Sequence, residues 1–212
     1  MFKGFIQNAR KPQGLGGKIF IASMNAGHTA LSSWGLSRLE IHPADVILDI
    51  GCGGGKNIKR MLKTSPEGKV CGLDYSELSV RQSAKLNRKA VGIGRAEIRL
   101  GSVSENPWPD DTFDIVTAFE TVYFWPDFVN DLRECRRVLK PGGRLFICNE
   151  MNQPETGEMP YQYWIDTLNL NVYTETDFRG YLTEAGFDYV EMEAEGKSRV
   201  CVTARARKGS CV

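Results

Sequence analysis

Three alternating glycines and two aspartates form the pattern in this sequence that could do chemistry. Asp49, Gly51, Gly53 and Gly55 lie in the segment DIGCGGG, at the end of the apolar run VILDI. Glycines at such a turn let the chain reverse sharply and let a ligand approach the backbone closely. About 20 residues further on, Asp74 ends the next apolar run, where a carboxylate can accept hydrogen bonds from both hydroxyls of a ribose. This arrangement predicts a site for a nucleoside-containing cofactor.

The spacing of the glycines discriminates between two kinds of cofactor. Dinucleotide sites use Gly-x-Gly-x-x-Gly, whose third glycine lets helix and strand pack closely while the helix start faces the pyrophosphate. In this sequence the third position is Lys56 when counting starts at Gly51, and Ile58 when it starts at Gly53. Neither frame fits, so the spacing disfavours NAD.

Further motifs follow the glycine segment in a fixed order. GLDYSELS stands at 72–79, RLGSVSENPWPDDTFDIVTAFETVYFWPD at 99–127 and RVLKPGGRLFI at 137–147. Together with the acidic-x-Gly-x-Gly-x-Gly pattern, these segments resemble the class I S-adenosylmethionine-dependent methyltransferases over roughly residues 25–205. The resemblance implies S-adenosylmethionine as the cofactor and methyl transfer as the activity.

The resemblance also implies roles for residues in the first two motifs. Gly51, Gly53 and Gly55 would line the methionine and ribose portion of the cofactor, and Asp49 would help to orient its ammonium side. Asp74 would hold the ribose hydroxyls. In the same segment, Tyr75 would cover the adenine.

The later motifs contribute the remaining expected contacts. In many relatives an aspartate after the third strand binds the adenine amine, whereas this sequence has Ser102 there. The hydroxyl of Ser102 or the backbone at Val103 is expected to take that role. Phe119 and Glu120, at the end of the fourth predicted strand, would face the sulfonium.

Several of these residues also have a purely structural interpretation. Asp74 could be a helix cap, and Asp49 could only tie down the loop. Cys52 and Ser76 are counted with the cofactor-binding residues, but Cys52 could be loop packing, and Ser76 can cap the following helix. Glu120 could be a carboxylate satisfied by neighbouring protein groups.

Three residues are candidates for a catalytic role, namely His28, Glu120 and Tyr123. His28 lies in MNAGHTALSSWGL, which resembles an N-terminal element that packs over the cofactor in some relatives. An imidazole can act as a base near neutral pH, although His28 could instead cap a helix. No metal site is expected, because no carboxylate or histidine cluster has ligand spacing.

Apolar runs and helical periodicities alternate along the chain. They predict strands at 46–50, 69–74, 96–100, 113–120 and 144–150, followed by an antiparallel hairpin around 190–204. Helices are expected within 18–39, after the glycine segment, from 76 to about 90, after Pro126 and from 175 to 185. Pro141-Gly142-Gly143 would stop the helix that follows Pro126. Residues 151–172 are expected to be irregular.

This alternation predicts an α/β fold with a Rossmann-like, doubly wound and mostly parallel seven-stranded sheet, helices on both faces and a C-terminal antiparallel hairpin. We expect a lead-in or lid segment at 1–24 and a single cofactor-binding domain at 25–212 with a short insert at 151–172. The 212 residues are 42% hydrophobic, which suffices for a sizeable core.

The overall charge and the cysteine content restrict the partners and the compartment. A formal net charge of +1 does not favour nucleic acid, and no apolar stretch is long enough for a membrane span. The six cysteines are expected to be buried free thiols, which suits the cytoplasm.

The methyl acceptor is expected to be a small, partly apolar molecule under an aromatic cover. Two aromatic clusters follow the fourth and fifth predicted strands: Tyr123, Phe124 and Trp125, and then Tyr161, Tyr163 and Trp164. Some of these rings could be ordinary core. Two other functions stay open, namely a module that binds S-adenosylmethionine without turnover and a methyltransferase that acts on protein or RNA.

Overall fold

The computed structural model describes residues 28–196 and 198–207, together with Gly14, Gly16 and Gly17. The predicted lead-in at 1–24, the helical pattern of 18–27 and Cys211 therefore lie outside the described residues, apart from those glycines. The described residues divide between Ser102 and Val103 into two compact units, and each is described by itself. The expected single domain at 25–212 stays a prediction.

The first unit is a three-stranded parallel sheet with helices between its strands. Its strands lie in the order β3-β2-β1, and they pair in register from Val46 with Lys69 and from Val70 with Ala96. Apolar residues fill β1 and β2, which are buried along nearly their whole length because helices connect parallel strands and cover them. The elements are α1 (Thr29–Arg38), β1 (Val46–Ile50), α2 (Lys56–Thr64), β2 (Lys69–Asp74), α3 (Glu77–Leu86), α4 (Arg88–Gly92) and β3 (Ala96–Leu100).

The helix predicted from Ser76 to about Ala90 is two helices in the structure. Ser76 caps α3, since its side chain accepts a hydrogen bond from the Ser79 backbone N–H. The helix ends at Asn87, whose side-chain amide donates to the carbonyls of Gly55 and Ser83, both at 3.0 Å. An asparagine amide that bonds backbone carbonyls competes with helix continuation, which explains the break.

The second unit contains a four-stranded mixed sheet in the order β4-β5-β7-β6. β4 and β5 are parallel, whereas β7 is antiparallel to both β5 and β6. The antiparallel pair β6 and β7 confirms the predicted C-terminal hairpin. The elements are β4 (Phe113–Phe119), a 3₁₀ turn (Val122–Phe124), α5 (Phe128–Val138), β5 (Leu139–Asn149), α6 (Gln162–Leu168), α7 (Glu175–Glu184), β6 (Phe187–Glu195) and β7 (Arg199–Ala206).

The prediction that Pro141-Gly142-Gly143 separates a helix from a strand beginning at residue 144 was wrong. The helix α5 ends at Val138, and β5 runs straight through the proline and glycines. The pairing of β4 with β5 shifts register between Phe113 and Ile115, and Gly142 has φ 80°. The proline and glycines are thus accommodated as a local irregularity of the strand.

The prediction that residues 151–172 are irregular throughout was also wrong. They contain α6, which starts after Tyr161 (φ 66°) and ends before Asn169 (φ 49°). Only Ile165 of this helix is buried. One buried position in seven residues leaves no apolar periodicity for sequence reasoning to detect.

The two units contribute the seven strands that the sequence predicted, mostly parallel with an antiparallel C-terminal hairpin, so the fold class is confirmed. Five cysteines are buried free thiols, as expected, namely Cys52, Cys71, Cys135, Cys148 and Cys201. Among the helices of the described residues, none combines the length and apolarity needed to cross a membrane.

Candidate functional site

The glycine loop between β1 and α2 is held in a conformation that its sequence favours. Gly51, Gly53 and Gly55 have φ values of 68°, 50° and 75°, in the left-handed region where a side chain is strained. The backbone N–H groups of Gly51 and Cys52 both donate to the carbonyl of Leu73, at 2.8 and 3.1 Å. These two hydrogen bonds hold the loop against the end of β2.

Two of these glycines have opposite surroundings. A Cβ at Gly55 would come within 3 Å of Ser83 and Asn87, so this position is closed by the protein itself. A Cβ at Gly53 would meet nothing within 4 Å. Gly53 thus presents open backbone, which is where a ligand can make close contact.

Asp74 is placed beside this open backbone. One carboxylate oxygen accepts the Gly53 N–H and the other accepts the Ser76 N–H, both at 2.9 Å. Burial raises the pKa of Asp74, while hydrogen bonds from Ser76, Gly53 and Ser79 oppose that shift. Because a carboxylate has about four acceptor sites, three protein donors leave it able to accept a ligand hydroxyl.

The loop is electrostatically negative. Burial raises the pKa of the Cys52 thiol well above its usual range, and the charges of Asp74 and Asp49 raise it further. A thiol in this environment stays protonated, which makes Cys52 a packing residue rather than a nucleophile. Two carboxylates at the loop favour a cationic ligand group and disfavour a pyrophosphate.

The other predicted cofactor residues of the first unit are placed as follows. Tyr75 is 41% exposed and directly follows Asp74, so its ring is available to a ligand. Ser76 is buried, and its side chain caps α3. Ser102 is exposed at the end of this unit. His28 occupies the N-cap position of α1, but its side chain makes no capping hydrogen bond.

In the second unit, Glu120 and Tyr123 form a hydrogen-bonded pair. Tyr123 donates its hydroxyl proton to Oε1 of Glu120 at 2.8 Å, and the Glu150 N–H donates to the same oxygen. The Tyr123 oxygen accepts the Met151 N–H at 2.9 Å. Glu120 has φ 57°, a left-handed conformation that is uncommon for a residue other than glycine. Such strain is concentrated at functional positions.

The protonation of this pair is shifted by its surroundings. Desolvation raises the pKa of Glu120 to about 7, although hydrogen bonds from Glu150 and Tyr123 oppose the shift. Desolvation, followed by the charge of Glu120, raises the pKa of Tyr123 well above its usual range. Glu120 can therefore gain or lose a proton near neutral pH, whereas Tyr123 stays a neutral hydroxyl.

Residues that sequence reasoning missed connect this pair to the hairpin. Arg199 on β7 contacts Oε1 of Glu150 at 3.1 Å and Glu195 at 3.1 Å. Glu150 in turn is the residue whose backbone N–H bonds Glu120. Because Arg199 lies 49 residues after Glu150, no local spacing in the sequence signals this link.

The aromatic residues after the fourth and fifth strands differ in exposure. Tyr123 and Trp125 are 1% and 3% exposed, so both are core residues. Tyr161, Tyr163 and Trp164 are 43%, 68% and 46% exposed. Phe119 is partly exposed, and Val103 is buried. Phe124 is partly exposed, so the second cluster and Phe124 are the members of the two clusters that a small molecule can reach.

Residues 48–147 match a family model described as a methyltransferase domain. A demethylmenaquinone methyltransferase of Bacillus cytotoxicus is 37% identical over 117 residues, which are 55% of this chain and 48% of that protein. A 27-O-demethylrifamycin SV methyltransferase of Amycolatopsis mediterranei is 35% identical over 126 residues, 59% of this chain and 46% of that protein. The chain spans about half the length of these curated relatives.

The fold has a close match among solved structures. A S-adenosylmethionine-dependent methyltransferase from Aquifex aeolicus superposes with a TM-score of 0.73 at 23% identity, over 88% of this chain and 96% of that one. Sequence motifs, family model and fold therefore agree. Residues 48–147 thus match a methyltransferase domain, and the fold is similar to that of the Aquifex methyltransferase.

Proposed function

We propose that this chain is an enzyme that transfers the methyl group of S-adenosylmethionine to a small-molecule acceptor by in-line displacement. The observation that carries the proposal is the open backbone of Gly53 beside the buried carboxylate of Asp74. The match of residues 48–147 to a methyltransferase domain supports it.

The residues of the first unit fit S-adenosylmethionine. Asp74 has accepting capacity left for a ribose hydroxyl, and the adjacent Tyr75 has an exposed ring for the adenine. The negative charges of Asp49 and Asp74 favour the ammonium and sulfonium groups of this cofactor. The bound cofactor supplies an electrophilic methyl group, and the protein binds, orients and shields it.

The proposed cofactor-binding set is completed by Asp49, Gly51, Cys52, Gly55, Ser76, Ser102, Val103, Phe119 and Glu120. Gly55 acts by shaping the loop, because the protein itself fills the space beside it. Cys52 contributes packing and Ser76 contributes a backbone N–H to Asp74. The sulfonium-facing roles of Phe119 and Glu120 stay predictions.

The proposed chemistry requires little beyond orientation. Glu120 is the residue we propose as the general base where the acceptor arrives protonated, because its carboxyl titrates near neutral pH. Tyr123 positions that carboxylate through its hydroxyl. The catalytic role of His28 stays a prediction as well.

Two relatives act, by their names, on demethylmenaquinone and on 27-O-demethylrifamycin SV, and both names denote small molecules. This favours a small-molecule acceptor over protein or RNA. Incubation with labelled S-adenosylmethionine and either these compounds or cell extract tests the choice. Label on a small molecule supports the proposal, whereas label only on protein or RNA contradicts it, and cofactor binding without any transfer supports a binding module.

Cofactor binding is tested by Asp74→Asn in calorimetry. Loss of a charged hydrogen-bond acceptor should weaken S-adenosylmethionine binding by about 1.5–3 kcal/mol. The exposed Glu67→Gln in the same unit is the control and should bind normally. Unchanged affinity in a folded Asp74→Asn protein, or tight binding of NAD by the native chain, would overturn the cofactor assignment.

A further inference from the structure

The segment that leaves β5, residues 150–152, is bonded on one side to the Glu120–Tyr123 pair. The Glu150 N–H donates to Oε1 of Glu120. The Met151 N–H donates to the hydroxyl oxygen of Tyr123 at 2.9 Å. Two consecutive backbone donors of this segment therefore meet the carboxyl group and the hydroxyl group of the pair, so the position of the segment determines the hydrogen bonding of both.

The β6–β7 hairpin holds the same segment from the other side. The Asn152 N–H donates to the carbonyl of Ser198, in the turn between β6 and β7, at 3.1 Å. The Arg199 guanidinium donates to Oε1 of Glu150 from Nε and from one terminal nitrogen, at 3.2 and 3.1 Å. Its other terminal nitrogen contacts Glu195 at 3.1 Å. The hairpin thus holds the end of β5 through one backbone hydrogen bond and one ion pair.

Charges of both signs act on Glu120 at this point. Desolvation is the largest influence and raises the pKa of Glu120 to about 7. Of the neighbouring charges, that of the Glu150 carboxylate raises the pKa of Glu120, whereas that of Arg199 lowers it. A nearby carboxylate disfavours a second negative charge, and a guanidinium favours it. The balance between Glu150 and Arg199 therefore influences whether Glu120 carries its proton.

Two further titratable groups face Glu120, and neither changes its charge near neutral pH. Tyr123, from the 3₁₀ turn, has a pKa raised well above its usual range, mainly by desolvation. Cys148, whose carbonyl accepts the Glu120 N–H, has a thiol pKa raised by a hydrogen bond with its neighbour on β7 and by burial. Both groups stay neutral while Glu120 titrates. The charged groups of this set are Glu150, at the end of β5, and Arg199, at the start of β7.

We propose that Arg199 is a positioning residue for Glu120, on which it acts by pairing with Glu150 and offsetting the negative charge of that carboxylate. Without Arg199, the uncompensated charge of Glu150 disfavours the ionised form of Glu120. Without the charge of Glu150, the Arg199 cation favours that form. The two members of one ion pair therefore act in opposite directions on one proton. The inference rests on the proposed function, in which Glu120 is the general base.

A purely mechanical anchor would behave differently. If the ion pair only held the end of β5 in place, loss of either partner would loosen the same contact between the Glu150 N–H and Glu120. Because that hydrogen bond favours the ionised carboxyl, both losses would then shift the titration of Glu120 upward. The direction of the two shifts therefore distinguishes the proposed electrostatic role from a structural one.

The test is a titration of the Glu120 carboxyl by ¹³C NMR, on the whole chain without cofactor or acceptor. The resonance is identified by its absence from the spectrum of Glu120→Gln. We expect Arg199→Gln to raise the midpoint by at least about half a pH unit, a change of about threefold in the ionisation constant. Glu150→Gln, whose amide oxygen can still accept from Arg199, should lower the midpoint. Arg199→Lys keeps the charge and should restore the midpoint toward the native value.

Arg133→Gln is the matched control. Arg133 pairs with Glu184 at 3.2 Å and its side chain is half-exposed, but it is not among the charges that act on Glu120. This variant should leave the midpoint unchanged. Thermal melts check folding, which we expect to persist because exposed ion pairs contribute little to stability. An unchanged midpoint in folded Arg199→Gln, or an upward shift in both Arg199→Gln and Glu150→Gln, would contradict the proposal.

The pH profile of methyl transfer, measured with an acceptor found by the labelling experiment, separates this inference from the proposed function. Where Glu120 is the base, the pH of half-maximal rate in Arg199→Gln should move with the NMR midpoint. A shifted midpoint with an unshifted rate profile would support the action of Arg199 on Glu120 and contradict the role of Glu120 as the base.

Discussion

Replacing Gly53 by alanine separates the ligand role of the glycine loop from its structural role. At φ 50° an L-residue is strained by about 1–2 kcal/mol, of which part is recovered because alanine restricts the unfolded chain. The added Cβ meets no protein atom within 4 Å. We therefore expect a loss of about 1 kcal/mol in the free energy of unfolding, from backbone strain alone.

Gly94→Ala is the matched control for this substitution. Gly94 has φ 77°, and its Cβ would also meet nothing within 4 Å, but it lies between α4 and β3, outside the glycine loop. The two variants should lose similar stability in urea unfolding. Only Gly53→Ala should lose affinity for S-adenosylmethionine, by at least about tenfold, because the methyl group occupies space proposed for the ligand.

Gly55→Ala completes the comparison. Its Cβ would overlap Ser83 and Asn87, and the Asn87 hydrogen bond to the Gly55 carbonyl would be disturbed. This variant should lose about 3 kcal/mol or more of stability. If Gly53→Ala binds the cofactor as tightly as Gly94→Ala does, the open backbone of Gly53 is not a ligand contact and the reasoning fails.

Three further results are expected. Because the pKa of Glu120 is raised to about 7, its contribution to the free energy of unfolding is full below about pH 4.5 and is lost as pH rises through 7. Urea unfolding across pH should therefore show that Glu120→Gln gains up to about 3 kcal/mol of stability at pH 9 relative to the native chain. Tyr123→Phe should remain folded while the pH at which methyl transfer reaches half its maximum shifts, and an unchanged pH profile would exclude Tyr123 as a positioning residue for Glu120. Methyl transfer should persist in excess chelator, and its loss with recovery on adding magnesium would reveal a metal requirement.

The parallel strands were predictable because burial leaves a local signal. β1 and β2 are apolar runs buried between helices, and glycine or a polar residue marks their ends. The glycine loop was predictable for a related reason, since left-handed φ values at Gly51, Gly53 and Gly55 demand glycine at fixed spacing. In both cases the backbone conformation restricts the residue type directly.

The errors arose where tertiary contacts override local preference. Pro141-Gly142-Gly143 ordinarily ends a regular element, yet β5 passes through it because the register shift against β4 absorbs the irregularity. The break at Asn87 depends on the Gly55 carbonyl 32 residues away. The helix α6 has one buried residue, so no periodic pattern reports it.

At Glu120, too, the sequence predicted one feature of the site and missed another. Its position after a strand predicted a role, but its raised pKa comes from desolvation, which outweighs the opposing hydrogen bonds from Glu150 and Tyr123. The Glu150 carboxylate is held by Arg199 from β7, so the hairpin orders the chain at the end of β5 whose N–H meets Glu120. Sequence spacing could identify the carboxylate, whereas only the assembled strands determine its protonation.

Charge at the glycine loop explains why a small change in glycine spacing marks a different cofactor. A pyrophosphate needs open backbone N–H groups, whereas here the Gly53 N–H already donates to Asp74. The same carboxylate and Asp49 lie close enough to Cys52 to raise the pKa of its thiol. An anion at this loop would therefore meet repulsion and an occupied donor, while a ribose hydroxyl and a cationic methyl donor meet acceptors. The proposed preference for S-adenosylmethionine over a dinucleotide therefore rests on the occupied Gly53 N–H and on the charge of Asp49, together with the spacing of the glycines.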